Sequence, residues 1–347
     1  MRLHYLVPII CLLVMQLCQQ ASADNDRKIS SMSVYPQVYD AVDMKATPTG
    51  IWVACYGNGI WQFDGEKWIS ISLEKDERFV TSIAIGKQGF IFAGTWMGEH
   101  LLRIDPNTRA ITRIPLPRNL PNWNRDYSRI TRLTFDGNNI IASSLGGLAI
   151  FNGEQQWILT EKPDLVIWPL WANSEHGIWS ATDNQLISFL KTGQLNQGFD
   201  ITTPAGKMRI TSISSVDSQL LLGTASGNAI FYDLTSNKYS ILFEKPQGIN
   251  APLLAMISTK DVVYACYGSM SISTTTEENV GGIVVYDRNH NTSSIVNGLN
   301  NWKSLSLTTD SLWAAGKAGV MRIPLSNLSL LLDKPIVALQ LDVETAK

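Results

Sequence analysis

Apolar runs that end in small residues recur along the chain about once every 43 residues, the spacing of a four-stranded repeat. They are Ile51-Trp-Val-Ala-Cys55, Phe90-Ile-Phe-Ala-Gly94, Ile140-Ile-Ala-Ser143, Gly177-Ile-Trp-Ser-Ala181, Leu220-Leu-Leu-Gly223, Val262-Val-Tyr-Ala-Cys266 and Leu312-Trp-Ala-Ala-Gly316. Runs of this length without a polar break predict strands buried on both faces, and their small residues suit places where neighbouring sheets crowd together. A second short strand follows each run and ends in an aromatic or β-branched residue, in most copies with an Asx-type turn behind it. Gly59-Ile-Trp-Gln-Phe63-Asp64-Gly65, Gly147-Leu-Ala-Ile-Phe151-Asn152-Gly153 and Gly282-Ile-Val-Val-Tyr286-Asp287 are the clearest copies, with weaker ones from His100, Gln185, Asn228 and Gly319. This is hairpin chemistry.

Flanking strands complete each unit. Val80-Thr-Ser-Ile-Ala-Ile85, Ile130-Thr-Arg-Leu-Thr-Phe135 and Ile210-Thr-Ser-Ile213 read as first strands, and Trp68-Ile-Ser-Ile71, Ala110-Ile-Thr-Arg-Ile114 and Tyr239-Ser-Ile-Leu-Phe243 as fourth strands. Seven such units occupy nearly all of the 347 residues. The predicted fold is all-β, a single seven-bladed β-propeller over 24–347 made of four-stranded antiparallel blades. The blades are expected at about 38–73, 79–115, 128–160, 165–199, 207–243, 251–297 and 302–332. Ile29 to Tyr35 and Pro335 to Val343 also read as extended, and one of them is expected to add a strand to an end blade and tie the ring shut. Trp52, Trp179 and Trp313 share one repeat position and are expected in the core between blades; Trp68 and Trp157 are equivalent outer-strand residues.

Residues 1–23 stand apart. Arg2 precedes the apolar stretch Leu6 to Val14, and Ala21-Ser22-Ala23 fits a signal-peptidase site, so a cleaved export signal and a periplasmic or secreted location are expected, with no membrane insertion after cleavage. The apolar stretch is short for a bilayer span. With 28 basic and 30 acidic side chains the formal charge is −2, and loss of Arg2 makes it −3. Such a balance speaks against nucleic acid as a partner. Of the four cysteines only Cys55 and Cys266 follow the leader. They read as the same repeat position in blades one and six, where equivalent atoms should exceed the reach of a disulfide, so two buried thiols are expected, with a disulfide as the minority reading.

The phrase Gly-Ile/Leu-Trp-x-Phe-Asp-Gly, sharp at Gly59–Gly65 and degraded at Gly147–Gly153, resembles the propeller repeats in sensor regions of bacterial two-component regulators. The resemblance spans most of the chain after the leader and implies the propeller fold in a stand-alone, exported form. No stretch that reads as a transmembrane helix, a kinase or a DNA-binding region follows the repeats, so it does not carry the signalling role with it.

Candidate chemistry is concentrated in loops. Two insertions, Pro115 to Tyr127 and Tyr267 to Gly281, fall in the fourth-to-first and second-to-third connections, which emerge on one face of a propeller. Candidate ligand-binding residues on that face are Tyr56, Trp96, His100, Arg118, Trp123, Arg125, Tyr127, Trp168, Arg209 and Trp302. The channel mouth is expected to carry Ser82, Arg129, Trp168, Arg209, Asn250 and Trp302, a set with positive charge and aromatic rings and no acid. Asp64, Asp105, Asp233 and Asp287 recur at one repeat position and read as turn formers, as does Asp136 in Asp136-Gly-Asn-Asn139, where a calcium loop is the weaker reading. No metalloprotease, Cys-x-x-Cys or Gly-x-Ser-x-Gly motif occurs. The expected role is an exported, non-catalytic module that binds a protein, peptide or glycan, with no cofactor and no metal. The alternative is a propeller lyase or hydrolase acting on a sugar or lactone, with His100 as general acid or base near the channel mouth.

Overall fold

A computed structural model of the chain describes residues 32–117, 129–144, 147–153, 157–159, 169–183, 185–203, 206–270, 281–296, 301–332 and 344–345. The repeats form a seven-bladed propeller in which each blade is a four-stranded antiparallel meander, its first strand innermost. Six blades are continuous in sequence, at 41–71, 80–115, 130–159, 170–199, 210–243 and 253–296. The second strand of every blade is the expected apolar run, and it is buried on both sides because a blade packs on each.

The seventh blade is assembled from both ends of the chain. Trp302–Leu307, Ser311–Gly316 and Gly319–Pro324 supply three strands, and Ser33–Tyr35 supplies the fourth, antiparallel to Gly319–Pro324 with Tyr35 opposite Val320. Glu344–Thr345 adds a short parallel strand outside it. The segment expected to finish this blade within 302–332 is instead an α-helix, Leu325–Leu332. Its place at the sheet edge is taken by Ser33–Tyr35, and Leu328 turns inward to join the core between blades six and seven. The extended reading of 335–343 lies outside the described residues, as do residues 1–31 and the leader.

Alternation along the second strands divides the core into layers between blades. In blade one, Trp52 and Ala54 pack with Val80 and Ile83 of blade two, while Ile51, Val53 and Cys55 pack with Trp313 and Ala315 of blade seven. Trp52, Trp179 and Trp313 are all buried and each faces the following blade, as their shared repeat position requires. Cys55 and Cys266 are free and buried. They are one residue out of register: Cys55 pairs across its sheet with Ala41, whereas the residue of blade six in that position is Tyr267, opposite Leu253. Period-two alternation therefore turns them to opposite faces of their sheets. Cys55 faces blade seven from blade one and Cys266 faces it from blade six.

The seam closed by the N-terminal strand is aromatic. Tyr35, Phe63, Trp68 and Trp313 meet with ring centroids 5.2–6.3 Å apart. The Phe63–Trp68 pair recurs in blade three as Phe151–Trp157, again at 5.2 Å, so both outer tryptophans are repeat features of the packing.

Candidate functional site

The connections into the first strands and the turns from second to third strands lie at one end of the propeller, which we term the loop face. Backbone bonds weld the two sets together. The N–H of Tyr56, Trp96, Ala225 and Gly268 donates to the carbonyl of Asp40, Phe79, Arg209 and Pro252, the residue just before the first strand in each of four blades. The short 3-10 turn Asp76–Arg78 is fixed by a bidentate pair, Arg113 Nε to Glu77 Oε1 at 2.6 Å and Nη2 to Oε2 at 2.8 Å. Burial alone raises the Glu77 pKa, but the Arg113 bonds outweigh it and the carboxyl titrates below its ordinary range.

Three of the exposed large apolar side chains stand on this face: Tyr39 in the connection into blade one, Met97 in the blade-two turn and Met270 in the blade-six turn. Among the described residues the opposite face carries one, Leu190. A hollow of about 360 Å³ lies beside Tyr39, between Asn58, Ser72 and Arg78.

Of the residues singled out in the sequence, Tyr56, Trp96 and Arg209 are on the loop face. Tyr56 is half-buried edge-on against Phe79, and the Trp96 ring lies under the Arg129 guanidinium at 5.6 Å. Arg209 pairs with Asp183 at 3.0 Å, and Asn250 is exposed. His100 does not sit at the channel mouth. It opens the third strand of blade two, opposite Pro115 of the outermost strand, and is separated from the centre by two strands. Trp302 is not at the surface either: it is 4% exposed in the core between blades six and seven. Arg118, Trp123, Arg125, Tyr127 and Trp168 lie outside the described residues.

A β-bulge explains the displacement of Trp302. In the first strands of blades one, two, three, five, six and seven the pairing skips one residue: Val42, Thr81, Thr131, Thr211, Leu254 and Lys303. A bulge re-aims the side chains next to it. The residue before it, such as Trp302, drops into the core; the bulged residue and the next one reach the channel or bridge blades. Thr81 and Thr211 each donate a hydroxyl hydrogen bond, to the carbonyls of Ile130 and Leu253 in the following blade.

The channel itself has a volume of about 460 Å³ and is lined by the first strands of all seven blades. The position after the bulge holds Asp43, Ser82 and Ser304 in three consecutive blades. Asp43 Oδ2 accepts from Ser82 Oγ at 2.6 Å and from the Ile83 N–H at 3.0 Å. Its Oδ1 accepts from the Met44 N–H at 2.8 Å, Ser304 Oγ at 3.1 Å and Lys45 Nζ at 3.2 Å. Ser82 Oγ in turn accepts from the Leu133 N–H at 3.0 Å, carrying the chain of bonds into blade three. Burial raises the Asp43 pKa, yet Lys45, Arg132 and the hydrogen bonds from Ser82 and Ile83 more than offset it, so the carboxyl is held below its usual range and stays ionised. An acid therefore belongs to the channel, contrary to the acid-free mouth expected from sequence. Arg132 takes the same position in blade three, and Lys303 the bulge of blade seven.

The remaining recurrent carboxylates shape turns. Asp64 Oδ1 accepts from the N–H groups of Glu66 and Lys67, Asp105 from Asn107 and Thr108, Asp233 from Thr235 and Ser236, and Asp287 from Asn289 and His290. Asp136 does the same with Asn138 and Asn139. Backbone donors lower the Asp64 and Asp105 pKa values accordingly.

No protein-family model matches the chain, and no curated protein matches it in sequence. Its fold is shared with many solved structures. Streptogramin B lyase superposes with a TM-score of 0.65 at 16% identity, covering 84% of this chain and 96% of that one. YCF48 bound to a D1 peptide gives 0.64 at 15%, covering 86% and 96%. The extracellular domain of BT4673, a regulatory-system sensor of B. thetaiotaomicron, gives 0.66 at 12%, covering 85% of this chain and 40% of that one. The resemblance to sensor propellers thus holds at the level of structure. Identities this low establish the fold alone. Among the described residues no helix is long and apolar enough to cross a membrane.

Proposed function

We propose that the protein is an exported binding module that recognises a protein, peptide or glycan through its loop face, and that it acts without catalysis. The observation that carries this reading is the asymmetry of exposed apolar side chains: Tyr39, Met97 and Met270 on the loop face against Leu190 opposite. Aromatic and methionine side chains on a rigid frame are what binding surfaces use to gain contact area at low entropic cost. Trp96 with Arg129 adds a rigid aromatic and cationic pair beside Met97. Non-catalytic action is favoured by the occupation of the acids in structural bonds: Asp43 by five donors, Glu77 by Arg113, Asp287 by His290 and its turn. A peptide-bound YCF48 of the same fold supports a macromolecular partner as a use of this scaffold.

Photocrosslinking tests the assignment. A benzophenone side chain placed at Met97 or Tyr39 should yield a discrete adduct in extracts of the native compartment, and one at Leu190 should not. Adducts from Leu190 with none from the two loop-face positions would refute it. N-terminal sequencing of the mature protein tests export, with Asp24 expected as the first residue.

A further inference from the structure

Basic side chains outnumber acidic ones among the described residues that line the channel. Lys45, Arg132 and Lys303 line it from blades one, three and seven, and Asp43 is the only acid among the lining residues. Lys45 is bonded to Asp43. Arg132 directs Nη1 at two neutral acceptors, the carbonyls of Thr131 at 3.2 Å and Thr81 at 3.4 Å, and shares with Lys45 the attraction of the Asp43 carboxylate. Three cations and one carboxylate give a net charge of +2. Blades four and six contribute apolar lining, with Pro169, Leu170 and Ile257, and blade five between them contributes Thr211, Ser212, Ser214 and Ser215. A cavity of about 460 Å³ is of the size that small-molecule sites occupy.

We propose that the channel binds a small organic oxyanion with two negative charges, a dicarboxylate or a phosphomonoester, held between Arg132 and Lys303 with its carbon skeleton against the apolar residues of blades four and six. Charge sets the class: two negative charges balance the channel, and a guanidinium with an ammonium is the pair that recognises carboxylate and phosphate oxygens. The site stands whether or not the loop face docks a macromolecule, since it uses none of the residues of that surface.

Lys303 gives the site a pH signature. Burial, followed by repulsion from Arg132 and Lys317, lowers its pKa to about 8, with Asp40 opposing the change. Asp43 and Lys45, on the first strand of blade one, complete the charged groups around it in the channel. Lys303 therefore carries its charge at pH 7 and has lost most of it by pH 9, and the affinity for a dianion falls as pH rises through that window. The ligand in turn favours the charged form and draws in a proton when it binds at pH 8.

Titration calorimetry of the whole protein with phthalate at fixed ionic strength tests this, because both phthalate carboxyls are ionised from pH 7 to pH 9. Saturable binding is expected at pH 7, weaker by about tenfold at pH 9. Arg132→Gln and Lys303→Met should each weaken it at least about tenfold, and the residual affinity of Lys303→Met should no longer change between the two pH values. Lys238→Gln, at the outer edge of blade five, should bind as the parent does. If Arg132→Gln fails to fold, Lys303→Met, which removes a charge that burial disfavours, carries the test. Absence of saturable binding at pH 7, or binding unaltered by Lys303→Met, overturns the proposal.

Discussion

Asp43 bonds to blades one, two and seven at once, and no neutral residue can replace it there. All five groups around its carboxylate are donors, so Asp43→Asn turns an NH2 group towards N–H and O–H groups and leaves them unpaired in the core. Loss of one partner from a buried charged network costs about 3–5 kcal/mol, and urea unfolding of Asp43→Asn should show a loss of that order. The acid response follows from the sign of the shift. A carboxyl whose folded pKa lies below its unfolded value stabilises the fold above the unfolded value, and that contribution is lost as pH falls through the folded pKa. The parent should therefore lose stability steeply below about pH 4, and Asp43→Asn more gently. An equal slope in both would mean that other carboxylates govern acid unfolding. Asp43 was visible in the sequence only by alignment: Ala41-Val-Asp43 matches Val80-Thr-Ser82 and Trp302-Lys-Ser304. Without the bulge the match cannot be aimed, which is why Trp302 was placed at the mouth and Lys303 passed over.

Elements that bury an unbroken apolar run were legible, because period, length and flanking turns all agree for them. Second and third strands fall where the pattern puts them in all seven blades. Ring closure by a terminal strand was legible, but three residues, Ser33–Tyr35, carry too little pattern to decide between Ile29 to Tyr35 and Pro335 to Val343. The Leu325–Leu332 helix was hidden for another reason: Leu325, Leu328 and Leu332 have helical spacing, but the count of four strands per blade left a place that a strand was expected to fill. The closing strand holds through Tyr35, which is 9% exposed and packs on Phe63, Trp68 and Trp313. Tyr35→Ala removes the ring common to these contacts and should cost about 3–5 kcal/mol in thermal or urea unfolding. Tyr35→Phe, which keeps the ring, should cost under about 1 kcal/mol. If both cost the same small amount, the aromatic seam is not what shuts the propeller.

A propeller closed by a three-residue strand is a ring with one weak joint, and the two thiols sit on either side of the blade that contains it. Cys55 lies at the interface between blades seven and one and Cys266 at the interface between blades six and seven, while the closing strand pairs inside blade seven. Burial makes both poor nucleophiles: it raises the Cys55 thiol, with Asp40 adding to the effect, and pushes Cys266 up to about 12. Reaction thus requires opening, and its rate reports which interface opens. Proteins open locally at their least stable joints well before they unfold as a whole. Release of Ser33–Tyr35 withdraws Tyr35 from the cluster around Cys55 and Val34, with the neighbouring Met32, from the cluster around Cys266. Under native conditions a maleimide should therefore reach both thiols through release of the closing strand, faster than global unfolding would allow, as resolved by mass spectrometry of the labelled peptides. Tyr35→Ala, which removes the ring that packs on the Cys55 side, should raise the Cys55 rate by more than that of Cys266. Labelling of both cysteines only at the rate of global unfolding, in parent and variant alike, would mean that the ring unfolds as one cooperative unit and that its closing strand is no weaker than the rest.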